Sequence, residues 1–273
     1  MKFSSVKPVL ALCLLAVSSG PQTARAAVVA KATIYWDTLD VQLIDLSGGI
    51  DTPRFNWVSQ ASGVNTSAFT EPADIRYDDQ SATDFATHLT SASDSAKARS
   101  QAERTATYLQ AQSRSEAIGG NSAQSSAYIQ GDFEMRGKGV AMISLDWKVD
   151  ISGVDTINPS SGGEAIINLN GSYLSDNYNS SNATNGGGSK YATINEYDGT
   201  GSKTGTFRFT VSGDGLGLVT GNFSATASAR TTVISSVPVP ASAWLFGSAL
   251  MASLSAVKRK SPGSSVLDGS ANA

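Results

Sequence analysis

The run from Ile143 to Ile151 constrains the fold more than any other stretch. Ile143, Leu145, Trp147, Val149 and Ile151 alternate with Ser144, Asp146, Lys148 and Asp150. Successive side chains of a β-strand point to opposite faces, so this order gives one large apolar face and one charged face. Wound as a helix, the same apolar residues would scatter around the circumference. The chain therefore holds at least one long half-buried strand, and a second apolar layer must cover it.

Weaker signals surround that strand. Thr33-Ile34-Tyr35-Trp36, followed by alternating Leu39, Val41 and Leu43, predicts a strand over 32–46 that ends in the Ser47-Gly48-Gly49 turn. Residues 51–79 contain Pro53, Pro72 and scattered polar residues, and read as irregular with one strand near Phe55-Asn56-Trp57-Val58. Residues 81–126 are rich in Ala and Ser. Ala92, Ala96, Ala98, Ala102 and Ala106 fit a two-residue period, while Ala98, Ala102 and Ala106 also fit a helix that Gly119-Gly120 would cap. Strands are favoured, because the region that follows is plainly β. Phe133, Met135, Gly137 and Gly139 read as a bulged strand leading into Ile143.

Further on, 158–163 reads as a turn, 165–174 as a strand, 176–189 as a loop with three consecutive glycines, and 191–197 as its pairing partner. Turns at 198–201 and 214–217 bracket the alternation Thr206-Phe207-Arg208-Phe209-Thr210-Val211. Phe223, Ala225, Ala227 and Ala229 then alternate with polar residues. Many short strands with Gly/Asn turns and no βαβ rhythm predict a mostly β, antiparallel β-sandwich or jelly roll over 28–236.

The two ends have a different character. Lys2 and Lys7 precede an apolar stretch at 9–17, and Ala24-Arg25-Ala26 supplies small residues for cleavage. This is the pattern of a secretory signal peptide over 1–27, which implies the Sec translocon and a signal peptidase as partners. Near the other end, Val237-Pro238-Val239-Pro240-Ala241 cannot be helical throughout, since proline lacks an N–H and biases its predecessor to extended geometry. An uncharged run follows at 241–257, about 25 Å long as a helix, with Trp244, Leu245 and Phe246 near its start. Lys258, Arg259 and Lys260 close it in a stop-transfer pattern that keeps the triplet cytoplasmic, and 261–273 is a short polar tail. A single transmembrane helix anchored by these aromatic and basic residues is expected.

The segment 237–260 resembles the PEP-CTERM sorting signal of Gram-negative bacteria, in which a short proline motif precedes a hydrophobic segment and a basic cluster. Pro238 and Pro240 match the motif prolines, and Val239 stands where the family name has glutamate. The resemblance implies recognition by an exosortase, a multispanning membrane peptidase. It also implies an association with exopolysaccharide and biofilm, and therefore a structural or adhesive role on the cell surface or in the extracellular matrix. It is confined to this C-terminal signal.

Composition narrows the chemistry of the middle. Cys13, the only cysteine, lies in the leader, so the exported part has no thiol, disulfide or zinc–thiolate site. Without the leader and the tail, the body carries 14 basic against 22 acidic residues, a net charge near −8. No basic stripe exists for nucleic acid. His88 is the sole histidine, and no Gly-x-Ser-x-Gly elbow accompanies it, so a Ser-His-Asp triad has little to stand on.

Asp78-Asp79, Asp132 with Glu134, and Asp146 with Asp150 are the carboxylates that a glycan-active hydrolase could use, the third-ranked reading. Turns near Asp198 and Asp176-Asn177 lack EF-hand spacing. Asn65, Asn170, Asn179, Asn182 and Asn222 open Asn-x-Ser/Thr triplets, which arise readily in such a chain. Trp147 shares its face with four aliphatics and belongs to the core. Trp57, in a less regular stretch, is the candidate glycan contact should the domain be a carbohydrate-binding module. No catalytic residue, metal ligand or cofactor is assigned.

Overall fold

A computed structural model describes residues 27–116, 119–153, 161–175, 185–234 and residue 248. The strands are β1 (Val28–Asp45), β2 (Arg54–Thr70), β3 (Asp74–Ala82), β4 (Leu89–Asp94), β5 (Ala98–Arg104), β6 (Tyr108–Ser115), β7 (Asn121–Arg136), β8 (Lys138–Ser152), β9 (Ser161–Ser175), β10 (Asn185–Asn195), β11 (Gly201–Asp214) and β12 (Val219–Val233). They form two six-stranded sheets, ordered β11-β8-β1-β6-β5-β4 and β10-β9-β12-β7-β2-β3. Every pairing is antiparallel. The sheets bury one face each against the other, which is the layering of a β-sandwich.

The strand that anchored the sequence reading is β8. Ile143, Leu145, Val149 and Ile151 are essentially inaccessible and Trp147 nearly so. Lys148 and Asp150 pair at 2.9 Å on the outer face. The core changes character along the strands. At one end it is aromatic: Phe55, Trp57, Phe85, Phe133, Phe209 and Phe223 form a linked set of ring contacts. At the other end the inward residues are small, among them Ala98, Ala102, Ala111, Ala123 and Ala127 with buried Ser113, Ser115 and Ser125. The Ala/Ser-rich stretch 81–126 is thus strand, with β4, β5 and β6 entirely within it, and the helical alternative does not occur.

Three readings are corrected. The strand expected near Phe55-Asn56-Trp57-Val58 is present as the start of β2, but the rest of 51–79 is not irregular: β2 and β3 occupy most of it and form a hairpin. A bulge between Trp57 and Ser59 breaks the alternation, and the inward positions Ser62, Thr66 and Thr70 are buried yet polar. Hydropathy alternation is therefore erased where pairing is in fact regular. The strand expected before Ile143 is present as β7, but Gly137 and Gly139 mark no bulge in it. β7 lies in one sheet and β8 in the other, and the chain crosses at Gly137, whose φ of 89° favours glycine. Finally, Gly162, Gly163 and Gly186-Gly187-Gly188 lie inside β9 and β10, not in a turn and a loop. The space beside Gly163 is tight: a Cβ there would sit 2.9 Å from Val28 Cγ1 and from Ile151 Cδ1, so those side chains would have to shift.

β1 begins and β12 ends at the same end of the sandwich. Val28 pairs with Ser115, and the Ser115 hydroxyl meets that of Thr231. The loop after β1, the Gly137 crossing and the start of β12 lie at the far end, where Leu46 N donates to Lys138 O and Lys138 N to Asp51 O. The signal peptide and the sorting segment, including Trp244, Leu245, Phe246 and the basic triplet, lie outside the described residues. Among the described residues no helix is long and apolar enough to cross a membrane.

Candidate functional site

The outer face of the second sheet is paved with small polar residues. Period-two geometry places Gln130, Asp132 and Glu134 of β7 on it, beside Ser224, Asn222 and Thr220 of β12 and then Asn170, Ser172 and Leu174 of β9. The central row runs across five strands through Ser59, Asp132, Asn222, Ser172 and Gly187. With neighbouring strands about 4.8 Å apart, that row is roughly 19 Å long.

Toward the far end this face sinks into an open groove of about 830 Å³. Its lining includes Val58, Asp132, Glu134, Ser172, Leu174 and Thr220, with Gly187 leaving the floor bare of side chain. A second hollow of about 380 Å³ shares Ser172, Gly187 and Asn222 with it and extends to Asn170 and Ser189. Gly221 lies directly over the Phe133 ring, so the aromatic core comes up beneath the groove. Val58 and Leu174, 60% and 52% exposed, supply apolar surface on either side.

Asp132 is held by hydrogen bonds from two neighbouring strands. Ser59 Oγ donates to its Oδ2 at 2.6 Å and Asn222 Nδ2 to its Oδ1 at 3.1 Å. These bonds, Ser59 first, stabilise the charged form and hold the carboxyl below the usual aspartate range. A general acid of a glycosidase needs the opposite shift. Glu134, its neighbour along the strand, pairs loosely with Arg136 at 3.8 Å.

The other carboxylates do not converge on a cleft. Asp78 and Asp79 are adjacent on β3 and so point to opposite faces, and Asp78 accepts from Ala92 N. Asp146 accepts from Thr206 Oγ1, and Asp150 holds Lys148. His88 is exposed just before β4, where Nε2 lies 3.0 Å from Glu103 of β5, a carboxylate that also accepts from Tyr108 OH. This contact with Glu103 raises the Tyr108 pKa. Asp198 is tied to Lys203 and to Asn195 N, and the Lys203 bond lowers its pKa. Among the described residues no three His, Cys, Asp or Glu side chains gather as metal ligands. Asp176 and Asn177 lie outside them.

Trp57 is half-buried, and its ring is in edge contact with Phe55 at 5.3 Å, Phe85 at 5.4 Å, Phe133 at 6.1 Å and Phe223 at 6.2 Å. It helps roof the aromatic core next to Val58, which itself lines the groove. Asn170 and Asn222, singled out in the sequence only as glycosylation triplets, turn out to line the groove system. Their signal was present in the alternation of β9 and β12, but only cross-strand register joins them to Asp132. No family model, curated protein or solved structure gives a significant match to this chain.

Proposed function

We propose that the protein is an exported, PEP-CTERM-sorted surface or extracellular-matrix protein with a structural or adhesive role in exopolysaccharide or biofilm. In this reading the first 26 or 27 residues are removed on export, and 237–260 holds the chain in the inner membrane until an exosortase processes it. The observation that carries the reading is the order of features in 237–260: proline pair, uncharged run with Trp244, Leu245 and Phe246, then Lys258-Arg259-Lys260. The domain is compatible with it. β12 ends at Val233, shortly before the segment, and the groove lies toward the opposite end of the sandwich. The depressed pKa of Asp132 disfavours it as the general acid of a glycan-active hydrolase, and no second carboxylate with a raised pKa faces it among the described residues.

Deletion tests the tether. In a host without an exosortase, the full chain should fractionate with the inner membrane, and a chain lacking 237–260 should be soluble in the periplasm. Equal partition of the two contradicts the proposal. A carbohydrate-binding module is the second reading, and the groove is the observation that favours it.

A further inference from the structure

We infer that the groove on the outer face of the second sheet binds a neutral, hydroxyl-rich glycan chain, with Asp132 and Asn222 as its central hydrogen-bonding pair. The inference rests on the adhesive reading above and gives it a contact surface.

Size and shape come first. About 830 Å³ falls within the range of ligand sites, roughly 300–1,000 Å³. The adjoining hollow extends the site one row along β9 and β10, to Asn170 and Ser189. An open trough crossing several strands suits a chain that continues past the site at both ends. It does not suit a small metabolite that must be enclosed.

Strand pairing then excludes a peptide that adds to the sheet. β7, β9 and β12 are paired along both edges, so their backbone N–H and C=O groups are already used. An occupant must be recognised from above, by side chains. Charge excludes an anionic polymer. Asp132 and Glu134 line the groove, and no Lys or Arg is among its described lining residues. A uronate or phosphate chain would meet the repulsion of Asp132, which no cation pairs, and of Glu134, which Arg136 offsets only loosely at 3.8 Å.

What remains matches sugar hydroxyls. Each carboxylate oxygen of Asp132 accepts one protein hydrogen bond and has a second lone pair, so the group can receive two further donors, such as adjacent hydroxyls of one ring. Ser172 and Thr220 can donate and accept, as sugar hydroxyls do. Val58 and Leu174 offer apolar surface to the C–H faces of the rings. Ser59 and Asn222 fix Asp132 before any ligand arrives, which reduces the ordering cost of binding.

The test uses protein recovered from culture medium and affinity electrophoresis through gels containing a neutral glucan, galactan or mannan, with alginate as the anionic comparison. Retardation is expected in at least one neutral gel, is expected to persist at high salt, and is not expected in alginate. Ser172→Tyr, which fills the groove, should abolish retardation. Asp132→Asn should weaken it about tenfold or more, as loss of charge-assisted bonds implies. Ser228→Tyr, on the same face but three rows away, should bind like wild type. Thermal melts of all three variants separate lost binding from lost folding. No retardation in any neutral gel, or unchanged retardation of both Ser172→Tyr and Asp132→Asn, overturns the inference. Sorting is read separately from the C-terminus of the same secreted material, so correct processing without glycan binding sinks the groove and leaves the sorting proposal standing.

Discussion

The Ser115 hydroxyl on β6 lies 2.9 Å from the Thr231 hydroxyl on β12, across the interface between the two sheets. Both residues are fully buried. Similar bonds join Thr66 to Ser91 at 2.7 Å and Ser113 to Ser125 at 3.1 Å. Hydroxyl pairs thus stand where a sandwich usually interdigitates large apolar groups, and they bond one another across the interface. Ser115→Ala removes one partner and leaves the other buried, which should cost about 1–3 kcal/mol. The double variant Ser115→Ala/Thr231→Val should recover much of that loss. Urea melts of the two single variants and the double variant give the coupling directly.

That small, hydroxylated half of the core explains what was and was not legible in the sequence. β8 was readable because Ile143 to Ile151 alternates large apolar and charged residues, and the strongest period belongs to a strand covered on one face. Beyond its start at Phe55 to Val58, β2 was not, because its buried positions Ser62, Thr66 and Thr70 look like surface, and the partners of Thr66 and Thr70 (Ser91, Ser93 and Ser95) are distant in sequence and equally polar. Gly186 to Gly188 looked like a loop for a related reason. Glycine on a strand is justified only by the Tyr173 and Phe209 rings packed against it, and those contacts are tertiary. The groove depends on register between β7, β9 and β12. Its residues were visible singly, as an acid pair and as glycosylation triplets, but not as neighbours.

Arg104 offers a second test. It is completely buried at the end of β5, where Nη1 donates to the Thr87 carbonyl while Nε and Nη2 have no partner among the described residues. Burial pushes its pKa down, partly offset by the charge of Asp84. Replacing a buried charge whose bonds are incomplete by an apolar side chain of similar length is often neutral or stabilising by about 1–4 kcal/mol. Arg104→Met should therefore be at least as stable as wild type in urea. A loss of stability would show that the guanidinium is better satisfied than its contacts indicate.

Asp132 sets a pH dependence. Its folded pKa is depressed, so its bonds to Ser59 and Asn222 add stability that is fully present above the unfolded value, about 3.9, and is lost as pH falls through the folded value. Titration followed by carboxyl-carbon NMR should give a midpoint below that of an unstructured aspartate. Ser59→Ala should move the midpoint up more than Asn222→Ala does, because Ser59 is the larger cause.

Gly205 of β11 lies beside Trp147 of β8 in the register of the first sheet, and a Cβ there would sit 2.6 Å from the indole Cζ2. Lys190 Nζ is 5.8 Å from the ring centroid. Gly205→Val should push the indole from its place, at a cost of about 1–3 kcal/mol for overpacking. A red shift in tryptophan emission would accompany the loss. Unchanged emission and stability would show that the space beside Trp147 is larger than it looks.

Everything proposed about location depends on the two ends of the chain being removed in transit. Intact-mass spectrometry of protein from the medium measures this in one spectrum. The expected mass lacks the first 26 or 27 residues and everything from about Val237 onward. Secreted protein that still carries its chain through Ala273 would contradict the sorting account.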